Sequence, residues 1–128
     1  MFDEQKGTFQ DGVRLFQAGD YAGAHSVWLA LAQQGHAAAQ LNLGVLCAKG
    51  QGVPQDYVEA TKWYRLAATQ PYPPALLCLG TAYRIGRGIK QDEVKAFECF
   101  RKATELGDTE ARLQVAWMKF WGHGTSRD

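Results

Sequence analysis

The side chains that most often carry chemistry are present in this 128-residue chain, but at spacings that serve no reaction. The histidines His25, His36 and His123 have no partner at metal-ligand distance along the chain, and neither a His-Glu-x-x-His stretch nor a Cys/His cluster occurs. No metal is expected, and His36 and His123, one opening a repeat and one between loop glycines, are expected to be solvated. Cys47, Cys78 and Cys99 form an odd set without Cys-x-x-Cys, each inside a helix-like apolar pattern, as expected of reduced thiols in a core. Ser26 and Ser126 are the only serines, and neither sits in a Gly-x-Ser-x-Gly turn that would expose a nucleophile. The pairs Gly50/Gly52, Gly86/Gly88 and Gly122/Gly124 follow no strand and precede no Gly-Lys-Ser/Thr, so they are turns and not phosphate loops. Asp20, Asp56, Asp92 and Asp128 are spread evenly along the chain and cannot meet as an acid/base pair, which needs two carboxyls within several ångströms. No catalytic residue, cofactor or metal is assigned, and the chain is expected not to be an enzyme.

The elements behind these spacings are helical. Ala39, Ala75 and Ala111 recur at a shift of 36 residues, as do Gly50, Gly86 and Gly122, and the four aspartates keep the same step. A period of this length with helical apolar patterning predicts stacked helix-turn-helix hairpins. Helix A of each unit is expected over about Ala38 to Lys49, Pro74 to Ile85 and Glu110 to Trp121. The Gly-x-Gly then turns the chain through positive φ, and the following Asp caps helix B, with Glu59 suggesting a capping box at Asp56. Helix B puts Ala60, Tyr64 and Ala67 on one face, and Ala96, Phe100 and Ala103 likewise. Gly44 and Gly80 fall inside helix A, where glycine costs roughly 1 kcal/mol against alanine, which implies a close neighbour there. The first unit lacks the Gly-x-Gly loop and has Thr8 one period before Gly44. The units are therefore about 1–35 (degenerate), 36–71, 72–107 and 108–128 (partial), in a single domain over 1–128. The fourth copy of the loop, "GHGTSRD", stops where another helix B is expected, so α-helix A of that unit is either a cap or part of a longer array.

With Ala39 to Gly44, Gly50 to Val53, Asp56, Ala60, Trp63, Tyr64, Ala67 and Ala68 at these spacings, the unit resembles the Sel1-like repeat family, a relative of tetratricopeptide repeats. The first unit resembles the tetratricopeptide form more closely. Departures are Cys47 and Lys119 at the place of the usual Tyr, kept as Tyr83, and Cys99 and Ala116 at the places of the usual Trp and Gly. The resemblance implies an all-α, right-handed α/α superhelix of about three and a half repeats of 36 residues. Members linked to β-lactam binding carry a cysteine pair bridging each repeat; this chain has none, and that activity is not transferred.

Two surfaces are candidates for a protein or peptide partner. At roughly 100° per residue, the arc of Leu41, Val45, Ala48 and Lys49 opposes the packed arc of Ala39, Leu43, Leu46 and Cys47, and in arrays resembling this one lines the concave groove. Its later copies are Leu77, Thr81, Arg84 and Ile85, then Leu113, Trp117, Phe120 and Trp121. The last set is unusually aromatic and is either a hot spot, for a partner or for self-association through the last helix, or a surface that caps the end of the core or packs on a further C-terminal helix. Arg84, Arg87, Lys90 and Lys95 could hold an acidic peptide, but Asp92 and Glu93 lie among them, and a solvated face is the expectation. The charge of +1 gives no field for nucleic acid or an anionic membrane, no apolar run approaches the roughly 20 residues of a span, and residues 1–6 show no secretory pattern, so a cytoplasmic protein is expected. The leading reading is a non-enzymatic interaction scaffold; RNA binding by a helical repeat and a regulatory subunit of an enzyme are the alternatives.

Overall fold

Seven helices and no strands make up the described residues, 7–125, of a computed structural model: α1 (Phe9–Gln17), α2 (Tyr21–Gln33), α3 (Ala37–Lys49), α4 (Tyr57–Ala67), α5 (Pro73–Ile85), α6 (Glu93–Glu105) and α7 (Thr109–Trp121). Successive helices pack as neighbours, and α3 also touches α5, so hairpins α1/α2, α3/α4 and α5/α6 stack in line with α7 at the end. This is the all-α solenoid that the period predicts.

Local chemistry explains each boundary. The A helices start one residue before the sequence expectation because their caps are His36 and Asp108, whose side chains accept the N–H of Ala39 (3.2 Å) and Ala111 (2.9 Å). Helix α5 has no such cap, but Pro73 and Pro74 open it and leave two fewer N–H groups to satisfy. Asp20, Asp56 and Asp92 cap the B helices by accepting the N–H of Gly23, Glu59 and Lys95 at 2.9, 3.1 and 3.0 Å. Asp128 lies outside the described residues. The reciprocal half of a capping box has no donor left at Asp56, whose N–H goes to the Cys47 carbonyl at 2.8 Å, and Glu59 lies beside Lys62 instead. Asp92 N–H reaches the Tyr83 carbonyl at 2.9 Å in the same way, tying the end of each A helix to the start of its B helix.

Two glycine positions bring backbones together. Gly44 and Gly80 lie under the rings of Tyr64 and Phe100, where an added Cβ would stand 2.6 and 2.8 Å from ring carbons. The first hairpin uses Gly12 for this purpose, against Trp28, and not Thr8, which caps α1. The connection from α1 to α2 lacks the Gly-x-Gly loop, so comparison at a fixed shift misaligns the first A helix. The second loop glycine acts between hairpins: Gly52 lies against Tyr21, Gly88 against Tyr57 and Gly124 against Glu93, each time the first helical residue of the previous B helix. Thr61 adds a hydrogen bond across the same junction, its hydroxyl donating to the Gly88 carbonyl at 3.0 Å.

The core is a chain of small clusters rather than one centre. Ala24, Trp28, Ala32, Ala39, Leu43 and Leu46 join the first two hairpins, Leu41, Ala67 and Ala75 the second to the third, and Ala96, Phe100 and Met118 the third to α7. Ala39, Ala75 and Ala111 are all fully buried, as are Ala60, Ala67, Ala96, Phe100 and Ala103 to within 1%.

Gly88 and Gly107 both have positive φ, +75° and +95°, but only Gly88 has a neighbour, since nothing lies within 4 Å of a Cβ at Gly107. Alanine at either costs about 1–2 kcal/mol of left-handed strain, and at Gly88 a clash with the Tyr57 carbonyl adds about 1–3 kcal/mol. Urea unfolding is expected to show Gly88→Ala clearly less stable than Gly107→Ala; equal midpoints would contradict the close approach.

Candidate functional site

A groove of about 440 Å³ runs along α5, lined on the α5 side by Pro74, Leu77, Cys78, Thr81, Ala82 and Ile85. These positions follow i, i+3, i+4, i+7, i+8, i+11, one continuous helical face. The opposite side comes from α4, through Tyr57, Ala60, Thr61 and Tyr64, with Ala48 of α3, Arg87 of the loop and Glu110 of α7 completing the rim. Two hairpins and α7 therefore build it, and the lining is mainly apolar. Burial pushes the Tyr64 phenol up to about 12, with Cys78, Cys47 and Tyr57 adding to the effect, so Tyr64 presents a neutral ring to the groove. Cys78 is half-buried there, its thiol raised first by burial and then by the Glu110 carboxylate. A thiol held protonated is a poor nucleophile. Arg87 sits over the Tyr57 ring, its guanidinium carbon 4.9 Å from the centroid.

The residues singled out in the sequence divide among several places. Leu77, Thr81 and Ile85 line the groove. Val45 and Lys49 lie instead in a separate depression with Val13, Phe16 and Trp28. Arg84, Leu113 and Trp117 share a third, where the Arg84 Nε is buried without a hydrogen-bond partner. Leu41 does not face an open groove: it is 8% exposed and packs with Ala67 and Ala75. The reason is visible along the stack. The next hairpin covers Leu41, its copy Leu77 is half-buried, and Leu113 is 68% exposed on the last described helix. This register position is therefore a stacking position as much as a groove position.

Helix α7 leaves Leu113, Trp117, Phe120 and Trp121 between 51% and 68% exposed. Their rings form a cluster, Phe120 edge-on to Trp121 at 5.0 Å and Trp117 at 5.9 Å from Trp121, with His123 6.0 Å from Trp117. His123 is not simply solvated, because its Nδ1 is 2.8 Å from the Glu93 carboxylate. His36, besides capping α3, stacks on Phe9 at 5.2 Å. Tyr57, Thr61, Tyr64 and Glu110 were missed as groove residues by sequence reasoning. The demand of Gly44 for a close neighbour was the signal that could have placed Tyr64. All three cysteines are free, Cys47 and Cys99 buried as expected and Cys78 partly open to the groove. Among the described residues no three His, Cys, Asp or Glu side chains converge, and no helix is long and apolar enough to cross a membrane.

The Sel1 repeat model matches residues 37–72, 73–108 and 109–128. The structure is similar to a Sel1 repeat protein from Oxalobacter formigenes, with TM-score 0.89 and 31% identity over 94% of this chain and 50% of that one. It is similar also to a protective antigen displaying an SLR fold, present in uropathogenic Escherichia coli strains, with TM-score 0.88 and 34% identity over 94% of this chain and 27% of that one. Cysteine rich protein B of Helicobacter pylori shares the fold, with TM-score 0.69 and 19% identity over 84% of this chain and 97% of that one. The chain thus spans half the length of the first of these structures and about a quarter of the second. No curated protein matches it in sequence.

Burial raises the Cys99 thiol from 9.0 to about 11, against a smaller opposing pull from Lys102. The folded chain keeps this thiol neutral, so its contribution is complete below the unfolded value and is lost as pH rises through the folded one. Urea midpoints are expected to fall between about pH 9 and 11, less steeply in Cys99→Ala; parallel pH profiles for the two proteins would contradict the burial of that thiol.

Proposed function

The chain belongs to the Sel1 repeat family, and from that premise we propose that it is a non-enzymatic scaffold that docks a protein or peptide in the groove along α5. Sel1-repeat proteins generally mediate protein–protein interaction, and the Sel1 repeat is a non-catalytic scaffold fold. The observation that carries the reading is the groove itself: a mainly apolar, open concavity built jointly by two hairpins and α7, with Tyr57, Thr81 and the stacked Arg87 supplying polar edges. Recognition sites of helical arrays have this character, with an apolar floor and a few convergent polar groups. Reduced thiols fit a reducing compartment such as the cytoplasm. The whole chain, 1–128, is read as one repeat domain.

The exposed aromatic face of α7 favours a second docking surface, open to a protein or to another copy of this chain. Hot spots are rich in tryptophan, and a cluster of exposed rings is costly to leave in water. RNA binding finds less support, since sequence-reading repeats need polar base contacts and a basic stripe, and the groove is mainly apolar in a chain of charge +1.

Substitution separates the two surfaces. Thr81 is exposed inside the groove, so Thr81→Trp fills it without touching the core. In crosslinking pull-downs Thr81→Trp is expected to lose the partner, while Trp117→Ala with Trp121→Ala reduces only contacts made through α7, including any dimer seen by light scattering. Retention of every partner by Thr81→Trp would contradict groove docking.

A further inference from the structure

The groove has charge as well as shape. Its α5 face runs from Pro74 to Ile85, a length of about 16 Å at ~1.5 Å per residue. Glu110 of α7 stands one period after Pro74 and marks the N-terminal end of that face; Arg87, just past Ile85 and stacked on Tyr57, marks the other. Among the described residues neither Arg87 nor Glu110 has an ion-pair partner. The carboxylates nearest in sequence to Arg87 and to its stacking partner Tyr57 have partners of their own: Asp92 caps α6, Asp56 caps α4, Glu59 lies beside Lys62 and Glu93 holds His123. Lys95, which the sequence grouped with Arg87, lies over the Tyr83 ring, 5.7 Å from its centroid.

We propose that the groove takes an extended peptide segment of about five residues, at ~3.3 Å per residue, with apolar side chains along α5, an acidic group at Arg87 and a basic group at Glu110, so that partners bind in one direction. This rests on groove docking and adds the chemistry and polarity of the partner. An extended strand suits a volume of about 440 Å³ better than a helix about 10 Å across. The exposed hydroxyl of Thr81, midway along the face, is placed to meet its backbone.

Random nine-residue peptides displayed on phage and panned against the intact chain supply the probe. Wild type is expected to enrich sequences with an acid and a base about five residues apart and apolar residues between them. Arg87→Glu and Glu110→Lys change exposed side chains and leave the fold intact by circular dichroism. Each is expected to weaken a synthetic wild-type winner about five-fold or more by fluorescence polarisation, and the double variant is expected to prefer the same peptide with its charges exchanged. Winners blocked by Thr81→Trp but indifferent to both charge reversals would overturn the directional inference and leave groove docking standing. Winners indifferent to Thr81→Trp, or no enrichment at all, would overturn both.

Discussion

Close backbone approach between consecutive hairpins is the constraint on which this structure depends. Gly88 can lie against the Tyr57 carbonyl only because it has no Cβ, and Thr61 fastens the same junction with a hydrogen bond to the Gly88 carbonyl. Gly52 and Gly124 repeat the contact one period away on either side. Inside each hairpin, Gly44 and Gly80 let an aromatic ring from helix B lie flush on helix A. A glycine in mid-helix is unfavourable by roughly 1 kcal/mol in isolation, so its use here is repaid by packing that a single hairpin or a bulkier residue could not reach.

The groove follows from the same constraint. Hairpins set at fixed spacing leave a trough between α4, α5 and the flanking A helices, and its floor is made of the rings and small residues that the stacking needs. Tyr64 illustrates the overlap: it covers Gly44, packs beside Ala67 and Ala75, and faces the groove. The side chains that hold the stack together thus also form the floor of the groove, so the proposed docking surface is as rigid as the stack itself.

Much of this was legible in the sequence because the period repeats capping and turning chemistry at fixed positions. The helices, the Gly-x-Gly turns with φ near +70°, and the aspartate caps all follow from residue types at known spacings. What escaped has physical reasons. The shorter loop of the first unit moved the packing glycine from the place of Thr8 to Gly12, which a fixed shift cannot see. Leu41 was given to the groove because angle on a helix does not say how far the next hairpin reaches. Tyr57, Arg87 and Glu110 line one groove from three separate units, and His123 finds Glu93 across 30 residues, arrangements that no local pattern announces.

If neighbours hold each other in shape, one hairpin removed from the stack cannot keep its own. The most direct measurement is circular dichroism of an isolated segment covering α3 and α4, residues 37–70, compared with the whole chain. Helices of 13 and 11 residues are marginal alone, so the segment should be largely unstructured and melt without a transition while the chain melts cooperatively. A segment that shows native helix content and melts at the temperature of the whole chain would contradict the account.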